Sequence, residues 1–247
     1  MNSAVLSFFL FGFLISSGLA TRHEEGSCQS QWVNNDHSGC SLTSKQGEDV
    51  YEELWVQNMD IAEKTFNVDF LIHMQNGILD AFRFVKFTLQ DILYLQVVTN
   101  MLKEVSEMPG QPDDLREFIT GRYRSYKRFL QSCESDFSLA DTKSIQPTPA
   151  IEKYLNSYKN VMNTEKDTIY FTVALLPCSR LWVWLAQNLK MEKNNAYIQW
   201  KTDNSEGHPE KYRPILNKYL NTTEKAQKAN NIFRMQMQNE HDFFSTS

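Results

Sequence analysis

The chain has 247 residues, which is enough for one large domain with a sizeable hydrophobic core. Its 25 basic and 30 acidic side chains give a formal net charge of −5, with histidine counted as neutral. This mild acidity argues against nucleic acids and anionic membranes as partners, because both select for basic surfaces.

Residues 1–20 have the composition of a secretory signal peptide. An apolar run rich in phenylalanine and leucine covers residues 4–15, and small residues follow as far as Ala20. The run is too short for a transmembrane anchor, which needs about 18 apolar residues. We therefore expect cleavage before Thr21 and a secreted protein. The sequon at Asn221 is then an expected N-glycosylation site.

The next segment, residues 21–48, is polar and lacks periodicity, so we interpret it as an N-terminal arm. An even number of cysteines in a secreted chain suggests disulfides. We expect Cys28 and Cys40, which flank a short polar stretch of this arm, to bridge each other. Cys133 and Cys178 then remain either as free thiols or as a second disulfide.

Almost every segment after residue 48 has helical periodicity, and no alternating strand pattern of any length occurs. Asp80 and either Thr222 or Thr223 are the expected N-caps of two helices. We predict an all-α single domain over residues 49–247. Its predicted helices cover residues 50–66, 80–108, 113–133, 149–163, 167–191, 195–203, 209–220 and 222–244.

The predicted helix that opens at Asp113 alternates basic and aromatic side chains between Arg122 and Arg128. Such a mixture is one feature of nucleic-acid-binding surfaces. In an acidic protein, a solvated face whose long side chains cover an aromatic stripe is the favoured interpretation.

The most apolar predicted helix, residues 169–189, contains Pro177 and Cys178 near its centre. A proline inside a helix costs about 3 kcal/mol and frees the carbonyl one turn earlier. The segment is therefore either a kinked core helix with an inert thiol, or a helix bent to turn the thiol into a cavity. Arg180 argues against a membrane span, because a central charge costs about 2.5–3.5 kcal/mol on insertion scales.

Polar side chains also occur on the apolar faces of other predicted helices. Asp91 lies in a strongly apolar helix with Tyr94 on the same face, and Glu240 lies on the apolar stripe of the last helix. Tyr154 can point inward from a third helix. Asp91 could instead bond a neighbouring helix, and Glu240 could be solvated on a frayed terminus. A bundle core in which such groups meet Cys178 would hold a small ligand.

The chain resembles the TenA-type thiaminases of the heme-oxygenase-like fold over about residues 50–245. The resemblance rests on Ala-Leu-Leu-Pro-Cys at 174–178 and Leu-Gln-Asp-x-x-Tyr at 89–94. It implies a single heme-oxygenase-like helical bundle that forms a dimer or tetramer. The supporting motifs are Pro-x-Pro at 147–149 with Tyr154 five residues on, Tyr197-x-x-Trp200, and Glu-x-x-Phe at 240–243.

The resemblance implies cleavage of thiamine or of its pyrimidine breakdown products. Cys178 would be the nucleophile and Glu240 the acid/base group that contacts the aminopyrimidine. Asp91 would grip the pyrimidine amino group and ring nitrogen, and Tyr94 and Tyr154 would line the pocket. No cofactor is expected, and the five histidines of the chain lack metal-ligand spacing.

Two residues depart from the family pattern. Trp182 and Asn204 stand where pocket tyrosines are expected. Without these hydroxyls the pocket would be drier, which favours an amine or thiol over water as the incoming nucleophile. We therefore predict a secreted type I thiaminase that transfers the pyrimidine-methyl group to such an acceptor. The alternatives are a hydrolytic thiaminase II or aminopyrimidine hydrolase, and a non-catalytic secreted thiamine-binding protein.

Overall fold

The computed structural model describes residues 49–136 and 145–247; the predicted signal peptide, the polar arm and the Cys28–Cys40 pair lie outside them. Within these ranges the chain forms ten α-helices and one 3₁₀ helix and no strand, which confirms the all-α fold. The helices are α1 (Val50–Val56), α2 (Met59–Phe66), α3 (Asp69–Gln75), α4 (Ala81–Glu107), α5 (Asp113–Asp136), α6 (Pro149–Thr164), α7 (Ile169–Asn188), α8 (Ile198–Ser205), a 3₁₀ helix (Pro209–Tyr212), α9 (Arg213–Tyr219) and α10 (Thr223–Ser245).

Helix starts follow the capping residues of the sequence. The Asp80 carboxylate accepts hydrogen bonds from the amides of Phe82 and Arg83 at 3.0 and 3.1 Å, and α4 begins at the next residue. Thr222 accepts from the amide of Lys225 at 3.3 Å and caps α10. Both predicted caps are confirmed, because each side chain satisfies an amide that the first helical turn leaves without a partner.

The prediction of one helix over residues 50–66 is wrong in one respect, since the helix is interrupted between α1 and α2. The buried side chain of Asn58 donates to the carbonyl of Leu54 at 2.8 Å and to the side chain of Asn230 on α10 at 2.7 Å. An asparagine that bonds the preceding turn competes with the helical backbone bond. The contact with α10 favours the interruption of the helix at Asn58. The periodicity of one helix cannot reveal such a contact.

Helix α7 runs through the middle of the bundle. It is buried on almost all sides because α6, α8 and α10 pack around it. Among the described residues it is the one helix long and apolar enough to cross a membrane, yet 89% of its most apolar window is buried inside the protein. Its uniform apolarity is therefore that of a core helix. α4 packs against α5 and α6.

We expect Asp80→Ala to lower the free energy of unfolding by about 1 kcal/mol, because it removes the side chain that caps α4. Chemical denaturation would measure the change. Lys103→Ala, an exposed position in the same helix, is the control and should change stability by less than half as much. An unchanged denaturation midpoint in Asp80→Ala would show that the cap contributes nothing.

Candidate active site

Cys178 lies in the middle of α7 and is only 6% exposed. Its thiol is free, which excludes a disulfide between Cys178 and Cys133. Pro177 lies inside the helix, and the carbonyl of Ala174 accepts a hydrogen bond from the Tyr158 hydroxyl at 3.1 Å. The loosened turn at the proline is therefore held by a side chain from α6, next to the thiol.

Glu240 is buried rather than solvated at a frayed helix end. It is 1% exposed, and both of its carboxyl oxygens accept hydrogen bonds. The Tyr154 hydroxyl donates to Oε1 at 2.6 Å and the Trp182 indole donates to Oε2 at 3.0 Å. Burial raises the pKa of Glu240 to about 7, although hydrogen bonds from Tyr154, Trp182 and Cys178 lower it in part. A carboxyl group that titrates near neutral pH is suited to acid and base work.

Asp91 projects from α4 into the same interior and is 5% exposed. Burial raises its pKa well above the ordinary value for an aspartate, and the negative charge of Glu240 raises it further. Its carboxyl group makes no hydrogen bond to any described residue, so the alternative of a bond to a neighbouring helix is wrong. A buried carboxyl group without a hydrogen-bond partner among the described residues is costly, and a ligand that donates to Asp91 would remove that cost.

Three phenols connect these groups. The hydroxyl of Tyr158 lies 2.9 Å from that of Tyr94 and 3.3 Å from that of Tyr154. Burial raises the pKa of each phenol well above 10, so all three are neutral at physiological pH. The sequence analysis did not identify Tyr158, although it follows Tyr154 by four residues and therefore lies on the same face of α6.

The thiol of Cys178 is held in its neutral form. Burial raises its pKa well above the ordinary value, and the charges of Glu240 and Asp91 raise it further. Hydrogen bonds with Tyr94 and Tyr126 act in the opposite direction. Tyr126 lies on α5, and the sequence analysis did not identify it as a site residue. The one signal in the sequence for a buried position was its place in the aromatic stripe of that helix. A ligand that neutralises the two carboxylates would therefore lower the pKa of the thiol, while burial would still raise it.

Cys178 lines a cavity of about 30 Å³, together with Trp182, Asn204 and the loop over residues 206–209. The amide group of Asn204 donates to the carbonyl of Trp200 at 2.8 Å. Trp182 and Asn204, the two residues that depart from the family pattern, thus line the same cavity as the thiol. The carboxylates and tyrosines described above do not line this cavity. Its volume holds one or two water molecules, so a heterocycle enters only if the cavity enlarges.

Gln90, beside Asp91, fixes the entry to α6. Its amide donates to the carbonyl of Gln146 at 3.0 Å, and its oxygen accepts from the amide of Thr148 at 2.8 Å. Thr148 is the N-cap of α6. A side chain on α4 therefore sets where α6 begins and, with it, where Tyr154 lies. The motif contained this glutamine, but its partners could be known only from the fold.

A second polar cluster, missed by the sequence analysis, joins α6 to α10. The side-chain amide of Asn239 donates to the Ser157 hydroxyl at 2.9 Å and to the side-chain oxygen Oε1 of Gln236 at 2.8 Å. Ser157 donates to that same oxygen at 2.9 Å. These residues neighbour Tyr154 and Glu240 in the chain, and their bonds hold the two helices in register at the phenol–carboxylate contact.

No protein-family model matches the sequence, and no curated protein matches it significantly. Solved structures do match. A TenA homologue from P. horikoshii OT3 has 18% identity and a TM-score of 0.69, with 81% of this chain and 98% of that chain covered. A TenA homologue from Pyrococcus furiosus has 18% identity and a TM-score of 0.65, with 79% and 98% covered. A TenA family transcription regulator from Silicibacter sp. TM1040 has 12% identity and a TM-score of 0.67, with 81% and 96% covered.

The chain has the TenA fold. The heme-oxygenase-like bundle that the sequence motifs implied is confirmed over most of the described residues. Identities of 12–18% establish this architecture and leave the chemistry to the residues themselves.

We expect Asp91→Asn to raise the midpoint of thermal unfolding at pH 8. The raised pKa of Asp91 means that the contribution of this side chain to stability is fully present at acidic pH and is lost as the pH rises through that pKa. Asparagine removes the buried charge and breaks no hydrogen bond of the described residues. The gain, several degrees at pH 8, should vanish near pH 4.

Asp114→Asn is the matched control, because Lys218 hydrogen-bonds Asp114 and lowers its pKa. That substitution should not stabilise the protein at pH 8. Thermal unfolding curves at both pH values measure the effects. An Asp91→Asn variant with a lower midpoint than wild type at pH 8 would mean that Asp91 is well solvated or paired.

Proposed function

We propose that this protein is a secreted thiaminase that cleaves thiamine at its methylene bridge and transfers the pyrimidine-methyl group to an amine or thiol. The observation that carries the proposal is Asp91, a buried carboxyl group without a partner among the described residues, which faces the same interior as the free thiol of Cys178. The TenA fold and the supporting Glu240, whose pKa is near 7, agree with it.

Recognition follows from the charge of the site. An aminopyrimidine offers an amino group that donates hydrogen bonds and ring nitrogens that accept a proton. Asp91 would accept from the amino group, and Glu240 in its protonated form would donate to a ring nitrogen. Burial is the main cause of the raised pKa of Cys178, and the charges of Glu240 and Asp91 add to it. With Glu240 protonated and Asp91 engaged by the amino group, substrate binding would lower this pKa and favour the thiolate that attacks the ring.

The covalent steps conserve atoms and electrons. The Cys178 sulfur forms a bond to the pyrimidine ring, which is electrophilic once protonated, and the thiol proton passes to a carboxylate of the site. The carbon–nitrogen bond to the thiazolium then breaks, and the neutral thiazole leaves with the electron pair. The acceptor bonds the methylene carbon, loses its proton to Glu240, and the ring expels the sulfur.

Trp182 favours transfer over hydrolysis. Its indole N–H occupies Oε2 of Glu240 and can only donate, whereas a tyrosine hydroxyl in its place could also accept a hydrogen bond from water. Asn204, the second departure, uses its amide on the Trp200 carbonyl. Neither residue offers a hydroxyl that would orient an attacking water. Hydrolysis is the second candidate function, and a non-catalytic thiamine-binding protein is the third.

Secretion is part of the same proposal. The predicted leader lies outside the described residues, but Asn221 is exposed between α9 and α10, where a glycan could be attached. Glycosylation of Asn221 would support passage through an oxidising secretory compartment. The free thiol of Cys178 is compatible with that compartment because it is buried.

The deciding experiment incubates purified protein with thiamine, with and without pyridine or aniline, and follows release of the thiazole. Release only in the presence of the added base supports transfer. Release in water alone supports hydrolysis. Binding of thiamine without release in either condition supports the binding protein and contradicts an enzyme.

We expect Cys178→Ser to lower the kcat for thiazole release by about 10³-fold or more, because the hydroxyl is a far weaker nucleophile. Its thermal midpoint should remain within a few degrees of wild type. Cys133→Ser, at the other buried cysteine of the described residues, is the matched control and should keep its activity. Full turnover in Cys178→Ser would remove Cys178 from the mechanism.

We expect Glu240→Gln to lower kcat by about 10²-fold and to raise KM far less, because glutamine keeps the shape but cannot transfer a proton. The wild-type rate should fall as the pH rises above about 7, where Glu240 loses the proton that it donates. Steady-state kinetics from pH 5 to 9 measure both effects. Equal changes in kcat and KM would reassign Glu240 to substrate recognition.

A further inference from the structure

A second and larger depression adjoins the cavity at Cys178. It is a groove of about 810 Å³ between α5 and the segment that leads from the 3₁₀ helix into α9, and we call it the α5 groove. It is large enough for the polar end of a small ligand. Its basic lining residues are Arg122, Arg124, Lys127, Arg128 and Lys211.

The charge of the α5 groove is opposite to that of the chain as a whole. Two acidic residues, Asp114 and Glu117, line it, and both lie in the first turns of α5. Asp114 is engaged by Lys218 and Tyr219. The basic residues lie further along the helix and face Lys211. A concave basic surface on a protein of net charge −5 is more than the solvated helix face that the sequence indicated.

Several cations of the groove are available to a ligand. Within the described ranges, Arg124, Lys127 and Lys211 form no ion pair. Arg124 and Lys127 are exposed, on the same side of α5. Arginine and lysine side chains that converge on a concavity without carboxylate partners are the usual means of binding phosphate.

The groove and the cavity at Cys178 share two lining residues, Arg122 and Lys211. The Arg122 guanidinium donates to the hydroxyl of Ser179 at 3.3 Å, and Ser179 follows Cys178 in the chain. A ligand whose reactive end lies at Cys178 would therefore pass Arg122 and Lys211 and reach the groove with its other end.

We propose that the α5 groove binds the phosphate groups of a phosphorylated form of the substrate while the heterocycle lies at Cys178. The inference rests on the proposed function and makes it more specific. Thiamine carries a cationic thiazolium, which a basic groove repels. A diphosphate on its hydroxyethyl tail reverses that interaction, because two or three negative charges then meet the groove cations.

The test compares kcat/KM for thiamine diphosphate and for thiamine. The wild type should prefer the diphosphate by about tenfold or more at low ionic strength, and added salt should reduce the preference. In Arg124→Gln/Lys127→Gln the preference should fall to about threefold or less. Lys103→Gln/Lys159→Gln, which removes the same charge from exposed positions outside the groove, should keep it.

Equal kcat/KM for the two compounds in the wild type would overturn the proposal, and so would a preference that survives in the groove variant. If neither compound is cleaved, the proposed function fails, and calorimetry still decides the role of the groove. Thiamine diphosphate should then bind the wild type and lose at least tenfold in affinity in the groove variant. Inorganic pyrophosphate that binds as tightly as thiamine diphosphate would overturn the link to the substrate.

Discussion

Three ionisable side chains share one desolvated interior in this protein, and the cost of placing negative charge there decides which of them holds a proton. Asp91, Glu240 and Cys178 come from α4, α10 and α7, and burial raises the pKa of each. In such surroundings a negative charge on one group makes a charge on the others more costly. The empty site therefore keeps the thiol protonated. A ligand that satisfies the carboxylates would shift this balance towards the thiolate, so in the proposed mechanism the activation of Cys178 depends on binding.

The surrounding polar contacts hold these groups within reach of each other. Tyr154 donates to Glu240, and its own position depends on the start of α6, which Gln90 fixes from α4. Asn239 ties α6 to α10 from the other side. Each of these bonds is buried or partly buried, where a lost partner is expensive. The site is thus assembled from contacts between helices, and no single helix contains it.

The difference between features of one helix and contacts between helices explains what the sequence could predict. Periodicity and capping residues are local, so the start of α4 after Asp80, the central helix α7 and the inward Asp91 and Glu240 all followed from them. The break at Asn58 depends on a contact with α10, 172 residues away in the chain, which a pattern does not record. The hydrogen bonds of Gln90 could not be predicted from the sequence for the same reason.

The small size of the cavity at Cys178 is a consequence of the burial that couples the three groups. A volume of about 30 Å³ excludes bulk water and strengthens every electrostatic interaction around the thiol, but it also excludes the substrate. The loop over residues 206–209 covers this cavity and contains Gly207 and the exposed His208. If the heterocycle of the proposed substrate binds beside Cys178, the cavity has to open for entry and to close again afterwards. In the proposed mechanism such enclosure would leave little water to compete with an acceptor, which would favour transfer over hydrolysis.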